Sequence, residues 1–168
     1  MNAFSMSKDS NGRLSKMYER PGFLLRRAHQ ISAGIFETEC GEAGLTPAQF
    51  AVISVLAATP MIDQSSLARS VGYDKVTVMY VLRGLIERGI VLREESQTKR
   101  RVMALSLSKE GVKYLEKVQK PTEAAYSRLM EPFTEPQRKQ FIKLLQILTT
   151  SLDAEARAPL VIPSEGQG

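Results

Sequence analysis

Between Asp63 and Leu107 the apolar residues change their period, and that change restricts the fold more than any other feature of the chain. Asp63 to Val71 reads as a short helix with Leu67 and Ala68 turned inward, and Gly72-Tyr73 supplies a tight turn. Asp74 to about Arg88 then places Val78, Val81, Leu82 and Leu85 on one side of a second helix, with Gly89 behind it as a C-terminal stop. After the glycine the spacing becomes that of strands: Ile90 to Arg93 and Val102 to Leu107, joined by the polar loop Glu94 to Arg101. Helix, tight turn, helix and hairpin in that order predict a mainly α fold with a small β-hairpin wing, a winged helix-turn-helix.

The flanks are helical. Pro21 opens a helix that runs to about Cys40, with Phe23, Leu24, Ala28, Ile31, Ile35 and Phe36 at helical spacing, and Gly41 and Gly44 end it. Thr46 and Pro47 start the next, whose Phe50, Val52, Ile53, Val55 and Leu56 make it apolar around much of its girth and therefore buried. Ser108 caps a long helical region with Val112, Leu115, Val118, Ala125, Leu129 and Met130 inward, which Pro121 is expected to kink or briefly break. Thr134 and Glu135-Pro136 open a last helix with a stripe of Phe141, Leu144, Leu145, Leu148 and Leu152. One domain is expected from 168 residues. Its parts are a flexible arm over 1–20, long amphipathic helices over 21–44 and 108–156, a winged lobe over 45–107 and a disordered tail over 157–168. Within the arm, Leu14, Met17 and Tyr18 are suited to starting a helix or packing on a partner.

Several classes are excluded. No apolar run reaches the roughly 18 residues of a membrane span, and the first fifteen residues lack a secretory pattern, so a cytoplasmic protein is expected. One cysteine, Cys40, and one histidine, His29, leave no intramolecular disulfide and no usual zinc set. There is no dinucleotide fingerprint, phosphate-binding loop or nucleophile elbow, and no evident carboxylate partner for the histidine, so neither catalysis nor a cofactor is expected.

The net charge of +5 is localised. From Ser65 to Lys113 the chain has ten bases against five acids, while the remainder is balanced, so the helix pair and hairpin form the one net-basic block. Such a block suits a polyanion, here double-stranded DNA. On the second helix of the pair, Lys75, Val76, Thr77, Met79, Tyr80 and Arg83 fall away from the core side: bases for guanine or phosphate, a hydroxyl, and apolar groups for thymine methyls. Lys99, Arg100 and Arg101 at the hairpin tip suit phosphates or a minor groove, and Ser65 and Ser66 at the start of the first helix suit either a phosphate or a cap. The competing reading is a winged-helix protein-interaction module that does not read DNA sequence.

Leu45 to Gly111 resembles the core of the MarR-type bacterial regulators. The resemblance is carried by Leu45, Thr46, Gln49 and Phe50, then Leu67 and Ala68, Asp74 and Lys75, Leu85, Arg88 and Gly89, and finally Leu107, Ser108 and Gly111. The chain departs from that pattern at the wing, where Lys99 and Arg101 stand in place of Asp-x-Arg, and in the second helix at Tyr80 and Gly84. The resemblance implies a homodimer built from the first and last two helices, an inverted-repeat operator, a repressor rather than an activator, and an effector in the crevice between dimer helices and lobe. Pro21 to Phe36 is similar to members tied to aromatic-acid catabolism, which implies an aromatic acid or its coenzyme A thioester held by Arg26, Arg27, His29 and Phe50. Plain surface or interface roles for these residues stay open, as does a redox role for Cys40.

Overall fold

The computed structural model describes residues 9–96 and 102–162, with side chains from Leu14 onward. The element order is α1 (Asp9–Tyr18), α2 (Pro21–Cys40), α3 (Pro47–Ala58), β1 (Ile62–Asp63), α4 (Gln64–Val71), α5 (Lys75–Glu87), β2 (Val91–Glu95), β3 (Met103–Leu107), α6 (Lys109–Met130) and α7 (Glu135–Ser151), with 3₁₀ turns at Gly41–Ala43 and Asp153–Glu155. The architecture is the expected one, mainly helical with a small sheet beside a helix pair. Among the described residues no single helix is long and apolar enough to cross a membrane.

Local chemistry explains where the lobe's helices begin. Thr46 and Gln49 form a reciprocal capping box ahead of Pro47, so α3 starts with its first donors satisfied. Asp63 caps α4 by accepting from the Ser66 N–H at 2.9 Å, and Ser108 caps α6 by accepting from the Gly111 N–H at 2.9 Å. Gly72, at φ +65°, ends α4 in the left-handed conformation that glycine adopts without penalty. Val52, Ile53 and Leu56 of α3 then meet Leu67 of α4, Val78, Leu82 and Leu85 of α5, Val91 and Leu105 of the sheet, and Val118 of α6 in one buried cluster. Burying each such side chain contributes about 1.5–3 kcal/mol, which fixes α5 on its inner face.

Four expectations are corrected. The arm over 1–20 is helical from Asp9 to Tyr18, and the Tyr18 ring meets Phe23 edge-on at 5.0 Å, so its apolar residues do start a helix. The wing is a three-stranded antiparallel sheet in the order β1-β3-β2, because Ile62 pairs with Leu105 and Asp63 with Ala104. Helix α6 runs through Pro121 without a break: the missing N–H forgoes only the bond to Lys117 O, and the turn continues, with Thr122 Oγ1 donating to Val118 O at 3.0 Å and Gln119 O at 2.9 Å. The tail read as disordered from 157 is ordered through Ile162, where the Val161 N–H donates to Arg69 O at 2.9 Å.

Candidate nucleic-acid interface

Helix α5 owes its position to two anchors, which leave one face free. At its start, Asp74 Oδ1 accepts from the Val76 and Thr77 N–H groups, each at 2.9 Å, and Oδ2 accepts from Thr77 Oγ1 at 2.7 Å. The Thr77 amide and hydroxyl, with the Val76 amide, hold the Asp74 carboxyl below its usual value. At its end, Arg88 donates to Gly44 O at 2.9 Å and Ala43 O at 3.4 Å, and its guanidinium lies 4.8 Å over the Tyr114 ring. The Tyr114 hydroxyl donates to the same Ala43 carbonyl at 2.9 Å, so α5 is fastened to the turn after α2 and to α6.

With Val78, Leu82 and Leu85 buried, the opposite face is open. Val76 is 59% exposed, Met79 40% and Tyr80 61%, beside exposed Lys75 and Arg83. Arg83 lies with its guanidinium 5.5 Å over the Tyr80 ring, which gives a long side chain a shelf. Apolar groups left in water on a helix that also carries bases are suited to a major groove about 12 Å wide, where thymine methyls and guanine edges alternate.

The remaining sequence candidates divide. Thr77 is half-buried and its hydroxyl proton is committed to Asp74, while Ser66 Oγ donates to Asp63 Oδ2 at 2.9 Å and accepts from Arg69 at 3.0 Å. Both hydroxyls serve caps first. Ser65 is half-buried, with no side-chain hydrogen bond among the described residues. Lys99, Arg100 and Arg101 lie outside the described residues; the base of their loop is closed by Ser96 N–H donating to Val102 O at 2.7 Å.

Sequence reasoning missed Arg93 and Gln64. With Met79, Leu82, Arg83, Ile86 and Glu87 they line a groove of about 410 Å³ between α5 and β2. The signal was the period of two: Val91 is buried against the core, so Arg93 shares its face and leans toward α5 with Arg83, instead of pointing off the back of the sheet.

The expected effector residues are not gathered in one place within the chain. Phe50 is half-buried in the α2–α3 seam, its ring 6.0 Å from Phe36. Arg26, Arg27 and His29 are exposed on α2; both arginines donate to Gln30 Oε1, at 3.3 and 3.5 Å, and Arg26 also sits 5.1 Å over Phe23. Helical spacing puts Arg26 and His29 on the stripe of Phe36 and Cys40, but Arg26 is about 15 Å along the axis from Phe36. Cys40 is fully buried, and burial, with Glu39 beside it, pushes its thiol up, which disfavours the thiolate that a peroxide sensor needs. No group of three or more potential metal ligands is assembled among the described residues.

Residues 43–102, from the turn after α2 to the start of β3, match the MarR family profile. In this segment, the helix pair and the first strand of its hairpin, the chain is similar to the MarR family. A curated relative, the HTH-type transcriptional repressor Rv2887 of Mycobacterium tuberculosis, is 26% identical over 127 residues, 76% of this chain and 91% of that protein. Among solved structures, the transcriptional repressor CouR of Rhodococcus jostii RHA1 bound to a 23-mer DNA duplex is 26% identical, with a TM-score of 0.74 over 88% of this chain and 99% of that one. BpsR of Bordetella bronchiseptica, whose DNA binding is regulated by 6-hydroxynicotinic acid, is 25% identical, with a TM-score of 0.72 over 77% and 94%. Rv2887 and CouR are both transcriptional repressors, and the two anchors of α5 describe how this chain presents the outward face of that helix.

Proposed function

We propose that this chain is a MarR-type repressor, a homodimer that reads an inverted-repeat operator with α5 in the major groove and is released by an aromatic acid or its coenzyme A thioester. The observation that carries the reading is the outward face of α5, where Lys75 and Arg83 flank exposed Val76, Met79 and Tyr80. Arg93 extends the cationic edge along the groove beside that face, and Lys99, Arg100 and Arg101 are assigned to flanking phosphates or the minor groove. The dimerisation parts are α1, α2, α6 and α7; exposed leucines and isoleucines on α2 and α7, Leu14 on α1, and Val112 and Tyr126 on α6 want a partner. The effector assignment is supported by the small aromatic acid that regulates BpsR and by Phe36 and Phe50 meeting at the α2–α3 seam. Within it Arg26 and His29 are the candidate anion contacts, completed by the second subunit, with Arg27 on a neighbouring face. An effector releases DNA only by binding the non-operator lobe spacing more tightly.

Footprinting on the chain's own upstream region tests the reading. Two protected half-sites are expected about 34 Å apart, with affinity falling steeply as salt rises. Arg83→Ala should relax base choice within a half-site, whereas Arg101→Ala should weaken binding on all sequences and lower the salt slope by about 1. A chain that binds DNA without protecting an inverted repeat, or whose affinity ignores salt, is better described as a protein-interaction module.

A further inference from the structure

The fastening of α5 described above is at its C-terminal end, through Arg88. Its N-terminal end is reached by a different part of the chain. After α7 the 3₁₀ turn Asp153–Glu155 reverses direction, and the Leu160 N–H donates back to the Asp153 carboxylate at 3.0 and 3.2 Å. That closure presents the next residue to the helix-turn-helix: the Val161 N–H donates to Arg69 O, in the last turn of α4, at 2.9 Å. Leu160 Cδ1 lies 3.5 Å from where a Cβ on Gly72 would stand, and Ala158 O 3.9 Å from it. Gly72 is the residue whose positive φ turns α4 into α5. The turn therefore has a leucine against its one side-chain-free position and an external donor on the Arg69 carbonyl.

We propose that Leu160 and Val161 are positioning residues for DNA reading: a clamp from the end of α7 that fixes the α4–α5 turn, and with it the angle of the recognition helix. The clamp and the Arg88 fastening use elements from opposite ends of the flanking helical frame, α7 and the α2–α6 junction. Held at one end, a helix pivots; held at both, it follows the frame. A change in the frame then reaches the DNA-reading face as a change in lobe spacing, without passing through the buried cluster. The short closure from Asp153 keeps the clamp in register with α7, because the donor and the leucine sit on consecutive residues of a tied loop.

The proposal rests on the operator reading for its consequence, not for the existence of the clamp, and the experiment separates the two. Val161→Pro removes the donor to Arg69 O, and Asp153→Ala opens the closure from the other end, so agreement between them does not depend on the geometry of proline. Ile162→Pro is the control, since Ile162 is 78% exposed. Hydrogen exchange at Gly72 and Tyr73, whose amides donate to Ala68 and Arg69 carbonyls, should speed up roughly fivefold in both clamp variants and not in the control. Fluorescence anisotropy on the operator, and on versions with half-sites moved one base pair closer or farther, should show discrimination between spacings reduced severalfold in both variants, with melting temperature and dimer formation unchanged. Exchange unchanged in either variant overturns the clamp. Faster exchange with spacing discrimination intact overturns its positioning role. If the unsubstituted protein shows no spacing preference, the operator reading fails instead, and the exchange measurement alone still decides whether the clamp exists.

Discussion

The Asp74 carboxylate holds the first turn of α5 by three hydrogen bonds, and because only its ionised form accepts all three, that hold depends on pH. The Thr77 N–H and then the Thr77 hydroxyl are the main causes of its lowered pKa. A group whose folded pKa is depressed adds stability above its unfolded pKa and loses it as pH falls through the folded value. Asp74→Ala is therefore expected to lower the urea midpoint at pH 7, and the gap to the unsubstituted protein should narrow below about pH 4 and close once the carboxylate is protonated. Urea titrations of both proteins at pH 7 and pH 3 check this; a gap that ignores pH would mean that the ionised cap is not its source. The same cap explains why Thr77 reads differently in sequence and in space. A threonine three residues into a basic helix looks like a DNA donor, but an aspartate three residues earlier already holds its proton, and Ser66 stands in the same relation to Asp63.

Among the elements, α6 shows how closely the frame is joined to the lobe. The Ser108 N–H donates to Ile90 O at 3.0 Å and its hydroxyl to Gly89 O at 2.6 Å, so the first turn of α6 lies directly on the α5–β2 junction. Gly111 faces that junction, and a Cβ there would overlap the Ile90 carbonyl oxygen. Alanine is the better helix former by about 1 kcal/mol, yet forcing a methyl against backbone costs about 1–3 kcal/mol. Gly111→Ala is thus expected to lower stability, and a thermal or urea melt gives the sign: a stabilised variant would show that the junction yields. The element pattern was legible wherever period and caps acted together, as in α3, α4, α5 and α7, whose Thr46, Asp63, Asp74 and Thr134 stand where the helices begin. It was not legible where structure depends on a distant partner. Two residues, Ile62 and Asp63, have no readable period and become a strand only because β3 lies alongside. The segment Ala158 to Ile162 looks like a tail until Arg69 and Gly72 are placed beside it, and Pro121 looks like a break until α6 is seen packed along α2. For the same reason the α5 face could be read from spacing, as could the face that Arg93 shares with Val91, but that the strand lies beside α5 shows only once the two are packed together.

At the scale of the whole molecule, a single chain leaves its frame unfinished. Leu144 of α7 and Leu152 at its C-terminal cap are each 54% exposed and Ile147 53%, while Leu24, Leu25 and Ile31 of α2 and Leu14 and Met17 of α1 are also exposed. These residues lie on the helices farthest from the outward α5 face in sequence, and an isologous contact between two such frames would cover them twice over. Covering a leucine contributes about 1.5–3 kcal/mol, and in a two-fold dimer each substitution occurs twice. Leu144→Asp should therefore weaken association by about 3–6 kcal/mol, raising the dimer dissociation constant by roughly 10²- to 10⁴-fold. Sedimentation equilibrium measures that change, and far-UV circular dichroism confirms that α7 remains helical. The variant also separates lobe from frame: each α5 retains its bases, so weak salt-dependent DNA binding should survive, while preference for an inverted repeat, which needs two lobes at a fixed spacing, should be lost. A Leu144→Asp protein that stays dimeric would move the interface to α1 and α2. An unsubstituted protein that sediments as a monomer would remove the two-fold frame on which operator spacing, effector release and the α7 clamp all act.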